Sequence, residues 1–269
     1  MEGEDVIIRH KEPFHVGYNP VAVVGEQKND TQMEFGIVKM AAGQKETFSC
    51  ADKEKAYLLI TGDIIIEWQD KEERLTRGSF LDENSICLHV PKAVSVSITS
   101  LADAELAVFA AANQTDFEPV LYSGNDCTVN KFGDGVLNNT SLREVRTVFD
   151  NDNAPYSNMV LGEVINYPGR WSSYPPHHHS QPEVYHYRFF PARGFGISEI
   201  GDNVYKVFDQ DTAVIPGGLT HMQASAPGYA MYYIWAIPHL KGNRWNKDRV
   251  FLDRDKWMLE PDAKIWPDR

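Results

Sequence analysis

Apolar positions along this chain fall in short runs, many of them alternating with polar ones. AVSVSITSL (93–101) alternates with period two. ELAVFAA (105–111), EVYHYRFF (183–190), TAVIP (212–216) and YAMYYIWAI (229–237) are similar short segments, and such segments are punctuated by Gly, Pro, Asn and Asp. β-branched and aromatic side chains suit a pleated, half-buried surface, so these runs predict strands. YLLITGDIIIEW (57–68) reads as a strand, a Gly62-Asp63 turn and a second strand. Helical periodicity is scarce, and one short helix is expected near DRDKWML (253–259). Residues 1–20 and 241–269 are polar with spaced aromatics and read as flanking arms. Many short strands with regular turn signals predict an all-β sandwich or barrel.

The pattern repeats. FGIVKMAAG (35–43) aligns with LGEVINYPG (161–169) at a shift of 126, with Gly36 and Gly43 on Gly162 and Gly169. EKAYLLITG (54–62) resembles EVYHYRFFP (183–191), and ICLHVPKAV (86–94) resembles TAVIPGGLT (212–220), with Pro91 on Pro216 at a shift of 125. A nearly constant offset predicts a duplicated β-domain. We place the N-terminal copy at 1–122, a Gly/Asn/Asp-rich linker at 123–145, and the C-terminal copy with its arm at 146–269.

Composition narrows the function. A chain of 269 residues with 42% hydrophobic and 24% charged residues is ordinary for a globular protein. The net charge of −12 argues against nucleic acid or an anionic membrane as partner, because both reward a basic surface. It leaves room for a small anion held by a metal or a few arginines. Cys50, Cys87 and Cys127 are dispersed, the N-terminus has no apolar run of signal-peptide length, and no stretch reaches the length of a membrane span. A cytoplasmic protein is expected.

The chemistry gathers in PPHHHSQPEVYHY (175–187). On a strand, residues i and i+2 share a face, so His177 and His179 point together and His178 points away. Glu183 follows after SQP turns the chain, and His221 ends a P-x-G-x-x-H turn that begins at Pro216. Three imidazoles and a carboxylate suit one divalent metal, zinc first, with Mn, Fe, Co and Ni as alternatives. His10, His15, His89, His186 and His239 read as packing or surface residues.

H-x-H-x3-E followed by P-x-G-x-x-H on a duplicated β-chain resembles the cupin superfamily. RHKEPFHVGYN (9–19), LGEVINYPGRWSSYPPHHH (161–179), EVYHYRF (183–189), GFG (194–196) and APGYAMYYIW (226–235) look like the family of 5-deoxy-glucuronate isomerase and 4-deoxy-L-threo-5-hexosulose-uronate ketol-isomerase. The resemblance implies a bicupin, two jelly-roll barrels. In the N-terminal copy the positions aligned with the histidine pair fall near 51–53, and that of His221 near Val96; none is a histidine. Only Glu54 remains opposite Glu183, so one metal site is expected, in the C-terminal barrel.

The resemblance further implies metal-dependent aldose–ketose isomerisation of 5-deoxy-glucuronate to 2-deoxy-5-keto-gluconate, a step of myo-inositol breakdown. A metal can stabilise the oxyanion of an enediol, while a general base moves the proton; a hydride shift is the other route. Tyr185 and Tyr187 share the face of Glu183 and are candidates for substrate hydrogen bonding or, with a lowered pKa, proton transfer. Gln223 and Tyr233 are candidate substrate contacts, and Arg170, on a loop edge before the histidines, is the first choice for the substrate carboxylate. The hexosulose-uronate activity, an Fe(II) oxygenase and a non-catalytic sugar-binding cupin remain alternatives. A homo-oligomer is expected.

Overall fold

The computed structural model describes residues 6–10, 12–26 and 30–268. The motif at 9–19 is therefore described except at Lys11, and the N-terminal arm from Val6 onward except at that residue. The described chain is all-β with three short 3-10 helices, one of them at Asp253–Leu259, where the aromatic-spaced arm predicts a helix. No helix among the described residues is long and apolar enough to cross a membrane.

Two large sheets carry the architecture, and their strand orders correspond. In the first the order is Val120–Tyr122, Cys87–Val90, Lys53–Trp68, Ala104–Ala112, Glu34–Met40, Gly17–Ala22. In the second it is Ile7–Ile8, Thr212–Ile215, Glu183–Phe190, Ala230–Pro238, Met159–Asn166, Arg143–Phe149, with Thr128–Phe132 added at the edge. Each half adds a smaller sheet layer. In the C-terminal half it runs Trp171–Ser172, Gln223–Ser225, Phe195–Ile200, Asn203–Phe208.

Strand alternation sorts side chains into three cores. Odd positions of Glu183–Phe190 and Ala230–Pro238, including Tyr185, Tyr187, Met231 and Tyr233, pack inside the C-terminal half. Even positions, including Val184, Tyr232 and Ile234, pack on Phe35, Ala56, Leu58 and Phe109 of the other large sheet. Tyr57, Leu59, Ile64 and Ile66 fill the N-terminal half. The two sheets thus press face to face across a shared apolar layer, and burial of both faces explains why several runs lack clean alternation.

Buried charge crosses that layer. Arg77 grips Glu163 with two nitrogens at 2.7 and 2.9 Å, and both side chains are fully buried. Ser85 and Tyr232 hydroxyls donate to the same carboxylate at 2.5 Å each. Burial pushes Glu163 up, but the Arg77 charge and these hydrogen bonds outweigh it and hold the carboxyl below its usual range.

Several details differ from the sequence reading. Residues 57–68 form no hairpin: Lys53–Trp68 is one strand that passes from the large sheet to the small layer. Gly62 makes the bend at φ 132°, where a Cβ would lie 2.4 Å from that of Ala104. Ile7–Ile8, within the segment assigned to the N-terminal copy, pairs with Thr212–Ala213 of the C-terminal half. The expected linker carries the strand Thr128–Phe132, which pairs with Arg143–Thr147. Glu54 does not stand opposite Glu183. Val90 pairs with Lys55 as Ile215 pairs with Glu183, so the ladder sets Lys55 at the carboxylate's position. Glu54 faces the other way and is bound by Asn113, Ser157 and the backbone of Asn158. A one-residue change of register reverses a strand's faces, which is why the linear alignment chose the wrong neighbour.

Candidate active site

The PPHHHSQP segment is tethered at both ends. His177–His178 pairs with Val250–Phe251 of the C-terminal arm, and Gln181 Nε2 donates to the Asn243 carbonyl at 2.8 Å. His177 and His179 are buried and turn to one cavity, while His178 is half-buried. The turn after Pro216 then brings in His221. Gly218 N–H donates to the His179 carbonyl at 2.7 Å. Gly217 lies so close to this segment that a Cβ there would meet the Ser180 carbonyl oxygen at 2.1 Å. The glycine is thus required for close backbone approach, and that approach sets His221 beside His179.

The result is a buried His179–Glu183–His221 triad whose ligand atoms all lie within 4.8 Å of one another. Glu183 Oε2 is 3.0 Å from His221 Nε2 and 3.4 Å from His179 Nε2. His177 lies beside them, its ring centroid 5.4 Å from that of His221. The donor set fits a divalent ion. His177 and His221 give their Nδ1 protons to the carbonyls of Pro175 and Leu219 at 2.7 and 2.9 Å, which leaves Nε2 of each as the atom that could ligate a metal. His179 Nδ1 has no partner among the described residues. Burial and the neighbouring His221 charge lower His177 to about 3, so it is neutral at pH 7. Burial pushes Glu183 up, but His221 and His179 together hold it well below the carboxylate range. A His/Glu/His group of this kind could hold a metal.

The cavity above the triad has a volume of about 360 Å³. Tyr185 and Tyr233 line it. Tyr185 donates to Glu183 Oε2 at 3.1 Å and lies 3.2 Å from the Ser173 hydroxyl; Tyr233 donates to Ser172 at 2.9 Å. Tyr187 and Gln223 are buried and engage each other, the phenol donating to Gln223 Oε1 at 2.8 Å, and neither lines the cavity. Alternation gave the right face for Tyr187 but not its depth. Burial raises Tyr185 and Tyr187 well above the usual phenol range, with the Glu183 charge adding to it for Tyr185. Both phenols act as hydrogen-bond donors here, Tyr185 to Glu183 and Tyr187 to Gln223. Arg170 does not line the cavity either. Its backbone serves the turn there, its N–H donating to the Tyr167 carbonyl and its carbonyl accepting from Asn166 and Ser225.

Sequence reasoning missed two arginines. Arg143 and Arg249 line the cavity and are the fixed cations among the described residues that do so. Both come from segments read as linker or arm. Phe132 and Leu137 from the linker, and Phe251 and Met258 from the arm, complete the wall. The only available signal was the Arg143-x-Val145 alternation, which puts Arg143 on the same face as an apolar residue.

A two-layered β-fold with a buried His/Glu/His centre defines the protein as cupin-like. A cupin barrel-domain protein from Leptotrichia buccalis superposes with a TM-score of 0.52 at 12% identity, covering 86% of this chain and 92% of its own. The KduI/IolB family model matches residues 7–255, and the chain belongs to that family. The IolB-like protein of Salmonella typhimurium has the same fold, with a TM-score of 0.83 at 21% identity over 92% of this chain and 97% of that one. The 5-deoxy-glucuronate isomerase of Bacillus subtilis strain 168 is 23% identical over 250 residues, 86% of this chain and 89% of its own length.

Proposed function

We propose that this protein is a metal-dependent aldose–ketose isomerase that converts 5-deoxy-glucuronate to 2-deoxy-5-keto-gluconate in myo-inositol catabolism. The observation that carries the reading is the buried His179–Glu183–His221 triad in the lining of a cavity in a member of this family. The corresponding strand orders of the two halves support a bicupin, with one metal-binding barrel and one that retains the frame without the ligands.

His177, His179, Glu183 and His221 would hold one divalent ion, zinc by preference for this donor set. Such an ion supplies Lewis-acid polarisation of the substrate's carbonyl and hydroxyl oxygens. The isomerisation moves one proton from C2 to C1 and another from O2 to O1, and needs no oxidant. The Tyr185 hydroxyl, set between Glu183 and Ser173, is placed to donate to a substrate oxygen and to relay the hydroxyl proton. Tyr233, held by Ser172, supplies a second donor on the same wall. Trp235, Trp245 and Phe251 line the cavity and exclude water from the enediol.

The test is to incubate the purified protein with 5-deoxy-glucuronate and follow the product by NMR, with 4-deoxy-L-threo-5-hexosulose-uronate in parallel. Turnover of the first substrate, lost on chelation and restored by divalent metal, is expected. Turnover of the hexosulose-uronate alone would replace the reading with the related ketol-isomerase activity.

A further inference from the structure

Arg143 stands out among the arginines of this chain. Arg77, Arg146 and Arg188 are each buried against a carboxylate. Arg143 is half-buried in the wall of the active-site cavity, and among the described residues no carboxylate pairs with it. Its guanidinium is fixed from behind: Nη1 donates to the Ser141 carbonyl at 2.8 Å, Nη2 to the Tyr174 carbonyl at 3.2 Å, and the Phe132 ring lies 5.4 Å away. A guanidinium has five N–H donors, so a forked set remains beyond these two contacts. Burial lowers its pKa, the penalty of a desolvated cation, and the charge of Arg249 acts in the same direction. Two cations thus face one cavity, one half-buried and held by backbone carbonyls, the other exposed on the C-terminal arm. A partly desolvated cation in a cavity wall with no carboxylate beside it is best satisfied by a ligand of opposite sign.

We propose that Arg143 is the seat of the substrate's carboxylate, with Arg249 closing on the same group from the arm, and that this pair makes the cavity selective for sugar acids over neutral sugars. The inference rests on the isomerase reading for the identity of the sugar, but not for the presence of an anion site. A carboxylate held at Arg143 orients the chain of the sugar so that its carbonyl end meets the histidine triad across the same cavity. Arg170 has no such position. The rigid mounting of Arg143 suits two-pronged recognition, since little rotamer freedom is left to lose when the anion binds.

The test compares 5-deoxy-glucuronate with 5-deoxy-glucose, which carries a hydroxymethyl group in place of the carboxylate. In Arg143→Gln the kcat/KM for the acid should fall about 10- to 100-fold, the range for losing a charge-assisted hydrogen-bonded pair, while that for the neutral sugar changes less than about threefold. Arg143→Lys should fall between, retaining charge without the fork. Equal losses on both sugars, or no loss of preference for the acid, would overturn the proposal. Arg249→Gln repeats the test from the exposed arm without disturbing Arg143: a severalfold loss on the acid alone is expected, and a loss on both sugars or on neither overturns its part. Calorimetric binding of the acid separates the two readings. If wild type binds the acid but turns over nothing, the isomerase reading fails, and the Arg143 proposal stands or falls on whether Arg143→Gln weakens that binding at least tenfold. No binding of the acid by wild type overturns the proposal.

Discussion

Replacing Arg77 by methionine would test the buried charge that pins the two halves together. The substitution removes both nitrogens from Glu163, at 2.7 and 2.9 Å, and the donor that serves the Leu59 carbonyl at 2.8 Å. Breaking a buried ion pair from one side costs about 3–5 kcal/mol. Here Glu163 keeps the Ser85 and Tyr232 hydroxyls, and Arg146 stands 3.6 Å away. That residual support sets the expected loss at the lower end, about 3 kcal/mol at pH 7, or roughly two orders of magnitude in the folded-to-unfolded ratio. The pH dependence gives a second handle. In wild type the folded pKa of Glu163 is depressed, so its contribution is present above the ordinary carboxylate range and is lost as pH falls through the folded value. In the variant the uncompensated carboxyl should titrate above its unfolded value, so its penalty fades as pH drops and the group protonates. The deficit should therefore be largest at pH 7 and shrink towards pH 4. Reversible urea unfolding of both proteins across that range measures it, with Arg77→Met/Glu163→Leu as a control expected to recover part of the loss. A deficit below about 1 kcal/mol at pH 7, or one that does not change with pH, would refute the assignment of this pair as a buried, ionised link.

Three further outcomes are expected. Tyr185→Phe should keep its metal while kcat falls about 100-fold, the lower end for a lost acid–base group; an unchanged kcat would remove Tyr185 from the chemistry. Metal affinity of the metal-free protein should weaken as pH falls from 8 to 6. Burial lowers His221, but the charge and hydrogen bond of Glu183 outweigh it and raise its pKa, so protons compete for this ligand at higher pH than for a free imidazole. A progressive loss of affinity over this range is expected, up to about a tenfold loss per pH unit once the ligand is protonated, and a flat calorimetric titration would contradict it. Deleting residues 253–269 removes Met258 and Leu259 from the cavity wall but keeps Arg249 and the Val250–Phe251 pairing that tethers His177–His178, so KM should rise about tenfold, or about 1.4 kcal/mol, with metal retained; unchanged KM would show that this end of the arm does not shape the site.

Much of this arrangement was legible in the sequence because strands advertise their faces. The runs at 104–112, 183–190, 212–215 and 230–238 are strands close to where composition put them. His177 and His179 reach one cavity as period-two alternation requires, and the glycine-bearing turn before His221 explains how a distant residue joins them. What the sequence could not carry was anything set by the third dimension of a ladder. Lys55, not Glu54, matches Glu183 because pairing to Val90 fixes the register, and one residue of slip is invisible in a weak alignment. Tyr187 and Gln223 lie on the expected side of their strands but are buried away from the cavity, since alternation specifies direction and not height. The carboxylate's candidate arginine was sought next to the histidines in sequence, whereas Arg143 reaches the site from a neighbouring strand. Gly62 looked like a hairpin turn because a bend between sheets and a turn between strands both demand a residue without a side chain.

The proposed chemistry requires the triad to be a working metal centre. Its most direct test is elemental analysis of untagged wild type and His179→Ala, with turnover of 5-deoxy-glucuronate measured on the same samples. About one divalent ion per chain with activity is expected in wild type, and loss of both in the variant. Wild-type protein that isomerises the sugar acid without a metal, or that takes up none when zinc and manganese are added back, would contradict it.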